Sequence, residues 1–94
     1  MSVEFEWDAS KARGNAMKHF VTFEEALTVF RDPLARIFAD PPHSSNEPRE
    51  LIIGHSGNRR LFVVSFTERE GRVRIISARR ATKREQQDYE QNSK

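Results

Sequence analysis

Between two turn pairs, Gly57-Asn58 and Glu70-Gly71, runs the segment Leu61-Phe-Val-Val-Ser-Phe-Thr67. Its β-branched and aromatic residues are apolar on both faces, the pattern of a strand covered from both sides. Such a strand needs neighbours. Arg49 to His55 precedes it and Arg72 to Arg79 follows it, each across a short turn. Leu34 to Asp40 alternates loosely and stops at Pro41-Pro42. Successive strands joined by short turns predict a four-stranded antiparallel meander.

The N-terminal third reads as helical. Phe5 and Trp7 alternate with Glu4 and Glu6 in a brief strand or packed extension. Asp8 then suits an N-cap, and Ala9, Ala12, Ala16 and Phe20 recur at helical spacing to about His19. Thr22-Phe-Glu-Glu25 has capping-box spacing, and Phe23, Ala26, Leu27 and Phe30 make one apolar stripe as far as Asp32-Pro33. Thr82-Lys-Arg-Glu85 repeats the capping box and opens a C-terminal helix to about Gln91, polar except for Tyr89. The expected architecture is α+β: two N-terminal helices, the four-stranded meander and a C-terminal helix, with the helices on one face of the sheet. Residues 1–94 make a single domain of that size.

Charge is distributed unevenly. Arg69 to Arg84 holds seven cations and one acid, a local +6, whereas the whole chain is +2. Val73, Ile75 and Ile76 interrupt this run, so some of its arginines are expected on a sheet, where rigid forks match phosphate oxygens. An edge strand defended by charge is the plainer reading. Simple alternation places Val73, Ile75, Ser77 and Arg79 on one face, and Arg72, Arg74, Ile76, Ala78 and Arg80 on the other. Arg79 then sits at the end of the more apolar face and needs a carboxylate partner, for which Glu85 is the candidate, or a phosphate.

Other residues carry possible chemistry. Lys11, Asn15 and Lys18 share a helical stripe with His19 beside it, either a solvated face or a phosphate-binding edge. The loop His43-Ser44-Ser45-Asn46-Glu47-Pro48-Arg49 gathers an imidazole, a carboxylate and a guanidinium, or simply shapes a bend. Tyr89 serves either as packing anchor or as stacking platform and general acid. Histidine, glutamate, lysine and tyrosine can move the protons of RNA cleavage, and arginine and lysine can hold the phosphorane charge. No cysteine is present, which removes disulfides and thiolate chemistry and suits the cytoplasm. No spacing suggests a metal site or a Gly-rich phosphate loop, so no cofactor is expected. No signal peptide is visible, and no apolar run approaches the ~20 residues of a membrane span.

An ordered pattern covers nearly the whole chain. It comprises Phe5-Glu-Trp-Asp8, Lys11, Asn15, Lys18-His19, Thr22-Phe-Glu-Glu-Ala26, Val29-Phe30, Asp32-Pro33, Asp40, His43-Ser44, Glu47, Arg49, Ile53-Gly54, Val63-Val64, Thr67-Glu-Arg69, Ile75-Ile-Ser-Ala-Arg79, Ala81-Thr82, Glu85 and Tyr89. In this the chain resembles the BrnT family of bacterial toxins from type II toxin–antitoxin systems. One departure is Phe20, where the family often has glycine after Lys-His. The resemblance implies a RelE-like fold and a metal-independent endoribonuclease that arrests translation and growth. It also implies a cognate DNA-binding antitoxin in an oligomeric complex. Carried onto this sequence, the catalytic candidates are Lys18, His19, His43, Glu47, Arg69, Arg79 and Tyr89. The RNA-binding candidates are Lys11, Arg49, Arg72, Arg74, Arg80, Lys83 and Arg84. The alternative function is a non-catalytic RNA- or protein-binding module in a regulatory complex.

Overall fold

A computed structural model of the chain describes residues 3–40 and 48–92. In chain order it contains β1 (Glu4–Glu6), α1 (Ala9–His19), α2 (Phe23–Ala26) running into a 3₁₀ helix (Leu27–Arg31), β2 (Arg36–Ala39), β3 (Glu50–His55), β4 (Leu61–Arg69), β5 (Arg72–Arg80) and α3 (Lys83–Asn92). The class is α+β. The described strands form a five-stranded mixed sheet in the order β1-β5-β4-β3-β2. The expected four-stranded antiparallel meander is present as β2 to β5. The fifth strand, β1, pairs parallel to β5 with Phe5 opposite Val73. Its Phe5 ring meets Phe30 edge-on at 5.2 Å, while Glu4 and Glu6 pair with Arg72 and Arg74. Three residues joining a strand almost seventy positions away leave no local pattern to read.

The three sequence-predicted caps form. Asp8 accepts from the Lys11 amide at 3.0 Å, and Thr22 and Thr82 accept from the Glu25 and Glu85 amides at 3.1 Å. Glu85 also reaches back to the Thr82 amide at 2.8 Å, completing a capping box. Glu25 does not reach back. It binds Arg60 Nε at 3.0 Å and Ser56 Oγ at 2.7 Å, tying α2 to the β3–β4 hairpin. The second helix is α-helical for one turn only and then tightens. Phe23, Ala26 and Val29, three apart, are all fully buried, which suits the three-residue turn of a 3₁₀ segment. α1 ends at Phe20, whose φ of 58° is the left-handed geometry that favours glycine.

The helices occupy both faces of the sheet, not one. α1, α2 and the 3₁₀ helix cover the face of Ile52, Phe62, Val64, Phe66, Val73 and Ile75, which holds the larger core. Edge-to-face aromatic pairs brace it, Trp7 with Phe23 at 5.9 Å and Phe30 with Phe66 at 5.0 Å, worth about 1 kcal/mol each beyond their area. α3 crosses to the opposite face, where Tyr89 packs on Ile53 and Val63.

A β-bulge decides what that second face displays. Ser65 pairs with Ser77 but Phe66 pairs with Ile75, so Ile76 is an extra residue in β5. The bulge shifts the alternation by one. Ala78 joins Val73 and Ile75 in the core, and Arg79 emerges with Ser77 on the face of α3. Simple alternation through Ile76 therefore places Arg79 wrongly with Val73 and Ile75. Among the described residues no helix is long and apolar enough to cross a membrane.

Candidate active site

The second face of the sheet is open where α3 does not cover it. There Asp40, Arg49, Leu51, Val63, Ser65, Ser77 and Arg79 line a concavity of about 240 Å³. Each residue comes from the end of β2, the start of β3, or the facing stretches of β4 and β5. Register supplies the convergence, since Val63 lies opposite Arg79 and Ser65 opposite Ser77. The floor is apolar and the rim carries two guanidinium groups, two hydroxyls and one carboxylate.

Arg79 is fixed end-on. Its Nη1 and Nη2 donate to Glu85 Oε1 and Oε2 at 2.8 and 2.9 Å, and Nη1 donates also to the Arg80 carbonyl at 3.2 Å. A guanidinium has a second fork, made by Nε–H and the remaining Nη2–H. On Arg79 that fork has no partner among the described residues. The Arg79 guanidinium holds the Glu85 carboxyl down at about 2, against burial that would raise it. Glu85 raises Arg79 in return. The pair stays doubly charged across the working pH range, so it orients Arg79 without switching it.

The other cations divide. Alternation puts Arg69, Arg72 and Arg74 on the same face as Arg79, towards the β4–β5 hairpin. That hairpin turns through Glu70 and Gly71, both at positive φ. Arg72 and Arg74 are paired with β1, Arg72 Nε to Glu4 Oε2 at 3.2 Å and Arg74 Nη1 to Glu6 Oε2 at 3.1 Å. Arg80 points away from the concavity, at the end of the sheet, and Lys83 and Arg84 are exposed in the first turn of α3. Lys11 and Lys18 are exposed on α1 and His19 is half-buried at its end. That helix packs on the larger core, so these three do not meet Arg79.

Asn15, expected on the cationic stripe, is buried. Its amide bonds the backbone of Val21 and Ala78. Tyr89 is also buried, with its ring on the sheet and its hydroxyl donating to Asp32 Oδ2 at 2.7 Å. His43 and Glu47 lie outside the described residues. Sequence reasoning gave no role to Asp40, Ser65 or Ser77, because only strand register brings them to Arg49 and Arg79. Among the described residues no three His, Asp or Glu side chains are grouped to hold a metal ion.

Comparison with known proteins gives the family and the fold. Residues 7–85 match the family described as ribonuclease toxin, BrnT, of type II toxin–antitoxin system. The fold is similar to that of the Brucella abortus ribonuclease toxin BrnT, known from a 1.1 Å crystal structure. The two chains are 21% identical with a TM-score of 0.67, covering 87% of this chain and 100% of that one. No curated protein gives a significant match.

Proposed function

The chain belongs to the BrnT family of ribonuclease toxins of type II toxin–antitoxin systems, and on that premise we propose that the concavity between Arg49 and Arg79 is where it cuts RNA. Its substrate is RNA and its partner is an antitoxin. The observation that carries the reading is the open fork of Arg79, held by Glu85 on the same concave surface as Arg49. Two guanidinium groups there stabilise the charge that builds on a phosphorane, where preorganised donors act most strongly. Arg69, on the same face, extends that field towards the hairpin. Ser65 and Ser77 offer neutral hydroxyls to the ribose or phosphate.

Cleavage proceeds by attack of the ribose 2′-hydroxyl on the adjacent phosphorus. A base takes the hydroxyl proton, the bond to the 5′-oxygen breaks, and an acid protonates that oxygen. The products are a 2′,3′-cyclic phosphate and a 5′-hydroxyl. We assign the proton transfers to His43 and Glu47, on the segment whose described flanks, Asp40 and Arg49, both line the concavity. The side chains named suffice for this route without a metal ion. Lys18 and His19 stand on the other face and do not act on the same phosphodiester. Lys11 stands there too and has no part in the bound strand. Tyr89 anchors α3, whereas Arg72 and Arg74 are paired with Glu4 and Glu6 of β1 and add little net charge to the strand's path. Lys83 and Arg84 add to the positive field around the entry. The antitoxin, a DNA-binding protein in this reading, covers the basic face from Arg69 to Arg84 in an oligomeric complex.

The test uses antitoxin-free protein and RNA in EDTA. Cleavage with a 2′,3′-cyclic phosphate end is expected. Arg79→Ala is expected to lower kcat about 100-fold or more, with a smaller change in KM. Intact RNA from folded wild-type protein, or an Arg79→Ala variant that loses affinity alone, would sink the proposal.

A further inference from the structure

The β3–β4 hairpin carries an arginine in the wrong backbone for its residue type. Ser56 and Arg60 close the loop, with the Ser56 amide donating to the Arg60 carbonyl at 2.8 Å and the Arg59 amide to the Ser56 carbonyl at 2.9 Å. The three residues between them form a turn whose last position is left-handed, and Arg59 occupies it at φ 64°. Glycine or asparagine ordinarily fills such a place. Both are present in this loop, as Gly57 and Asn58, but one or two positions too early. An L-residue there costs about 1 kcal/mol relative to glycine.

The side chain held at that cost lines a second depression. Arg59, Arg60 and Arg80 surround Leu61 and Ala81, with Gln86 of α3 on the rim. Arg60 is committed to Glu25 and lies over the Phe62 ring at 4.9 Å. Arg59 and Arg80 have no side-chain partner among the described residues, whereas Arg72, Arg74 and Arg79 are each paired with a glutamate. Two unpaired guanidinium groups facing one polar depression form a site for an anion. The depression lies at the same end of β5 as Arg79 but on the other side of the strand, since Arg80 pairs with Phe62 and Arg79 with Val63. Arg79 and Arg80 are consecutive, and Glu85 and Gln86 are consecutive. Arg79 lines the concavity and is held by Glu85, whereas Arg80 and Gln86 line the depression, so the first turn of α3 spans the step from one to the other.

We propose that RNA held in the Arg49–Arg79 concavity continues past the first turn of α3, and that a flanking phosphate of the same strand is bound between Arg59 and Arg80. This rests on the ribonuclease reading and extends it to a second contact. The charge favours a phosphodiester backbone because the depression has no acidic side chain and only a small apolar floor. An acidic protein segment is the competing occupant and is decided by the test.

Arg59→Gly is the informative variant, because it removes the side chain where the backbone prefers glycine. It is expected to fold with unchanged or higher Tm. Binding to a 2′-O-methyl RNA oligonucleotide, which cannot be cleaved by 2′-hydroxyl attack, is measured across a salt series. The variant should bind several-fold more weakly at low salt, with its log–log salt slope reduced by about 0.7, the value of one single-strand phosphate contact. Arg59→Lys should restore most of that slope. Wild-type affinity and slope in Arg59→Gly would overturn the proposal. So would loss of antitoxin affinity with RNA binding unaltered, or a wild-type protein that does not bind the oligonucleotide. If the wild type binds but cleaves no RNA, the ribonuclease reading fails while the slope comparison still decides this site.

Discussion

Asn15 and Ala78 are joined by two hydrogen bonds between a side chain and a backbone. Ala78 N–H donates to Asn15 Oδ1 at 3.0 Å, and Asn15 Nδ2 donates to the Ala78 carbonyl at 2.8 Å. The side-chain amide thus imitates a neighbouring strand. It does so on the edge of β5 that β1 serves only from Arg72 to Arg74. The second Nδ2 proton goes to the Val21 carbonyl at 2.9 Å, so both donors of the group are used. Ala78 immediately precedes Arg79. The helix on one face therefore fixes the strand that presents the guanidinium on the other.

Replacing Asn15 should damage both stability and catalysis. Asn15→Ala strands the Ala78 amide and carbonyl in a buried place, at about 2–3 kcal/mol. Asn15→Asp should be no better, because a carboxylate would face the carbonyls of Val21 and Ala78 instead of donating to them. Urea denaturation measures the stability term. Cleavage, assayed where the variant is still folded, should fall through kcat, since Arg79 loses its support. An Asn15→Ala protein with wild-type urea midpoint would contradict this account.

The Arg79–Glu85 pair makes a prediction about acid. Glu85 titrates at about 2 in the fold against an ordinary 4.5. A depressed carboxyl stabilises fully above the unfolded value and loses that contribution as pH falls from about 4.5 towards 2. Glu25, held at about 2 by Arg60, behaves alike. Glu85→Gln keeps a side chain able to cap Thr82 and removes the charge. Its stability should fall less steeply across that window, by up to one proton in the slope, and Arg79 should hold phosphate with poorer orientation. Stability measured from pH 5 to pH 2.5 checks this; an unaltered slope would mean that the pair is not formed in solution.

Local signals were legible and distant ones were not. Asp8, Thr22 and Thr82 were identifiable as caps because a cap is settled within four residues. Glu85 could be named as a partner for Arg79 because the same four-residue motif fixes where it sits. The pairing of β1 with β5 depends on residues far apart, and Glu4 and Glu6 look like solvated charges until Arg72 and Arg74 stand beside them. The bulge at Ile76 is one surplus residue with no signature of its own, yet it moves Arg79 from the core side to the concavity. Asn15 has the spacing of a cationic stripe, and only the unserved edge of β5 explains why it is buried. Gly57-Asn58 marks the hairpin correctly while the left-handed residue falls on Arg59.

Tyr89 separates an anchor from an acid. Its ring packs on Ile53 and Val63 and meets His55 edge-on at 5.2 Å. Its hydroxyl donates to Asp32, which also accepts from the amides of Leu34 and His55 at 2.9 and 2.8 Å. Burial raises the Asp32 carboxyl, but these three donors outweigh it and leave the group below its ordinary value. Tyr89→Phe keeps the ring and removes one of the three donors, so the cost should be about 1 kcal/mol. The acid limb of the stability curve should move slightly to higher pH as Asp32 becomes easier to protonate. Tyr89→Ala leaves a hole between α3 and the sheet and should cost about 3 kcal/mol or more. Cleavage by Tyr89→Phe should stay within about threefold of wild type, since a hydroxyl spent on Asp32 has no proton to give a leaving oxygen. A fall of 100-fold in kcat with little loss of stability would instead make that hydroxyl the general acid.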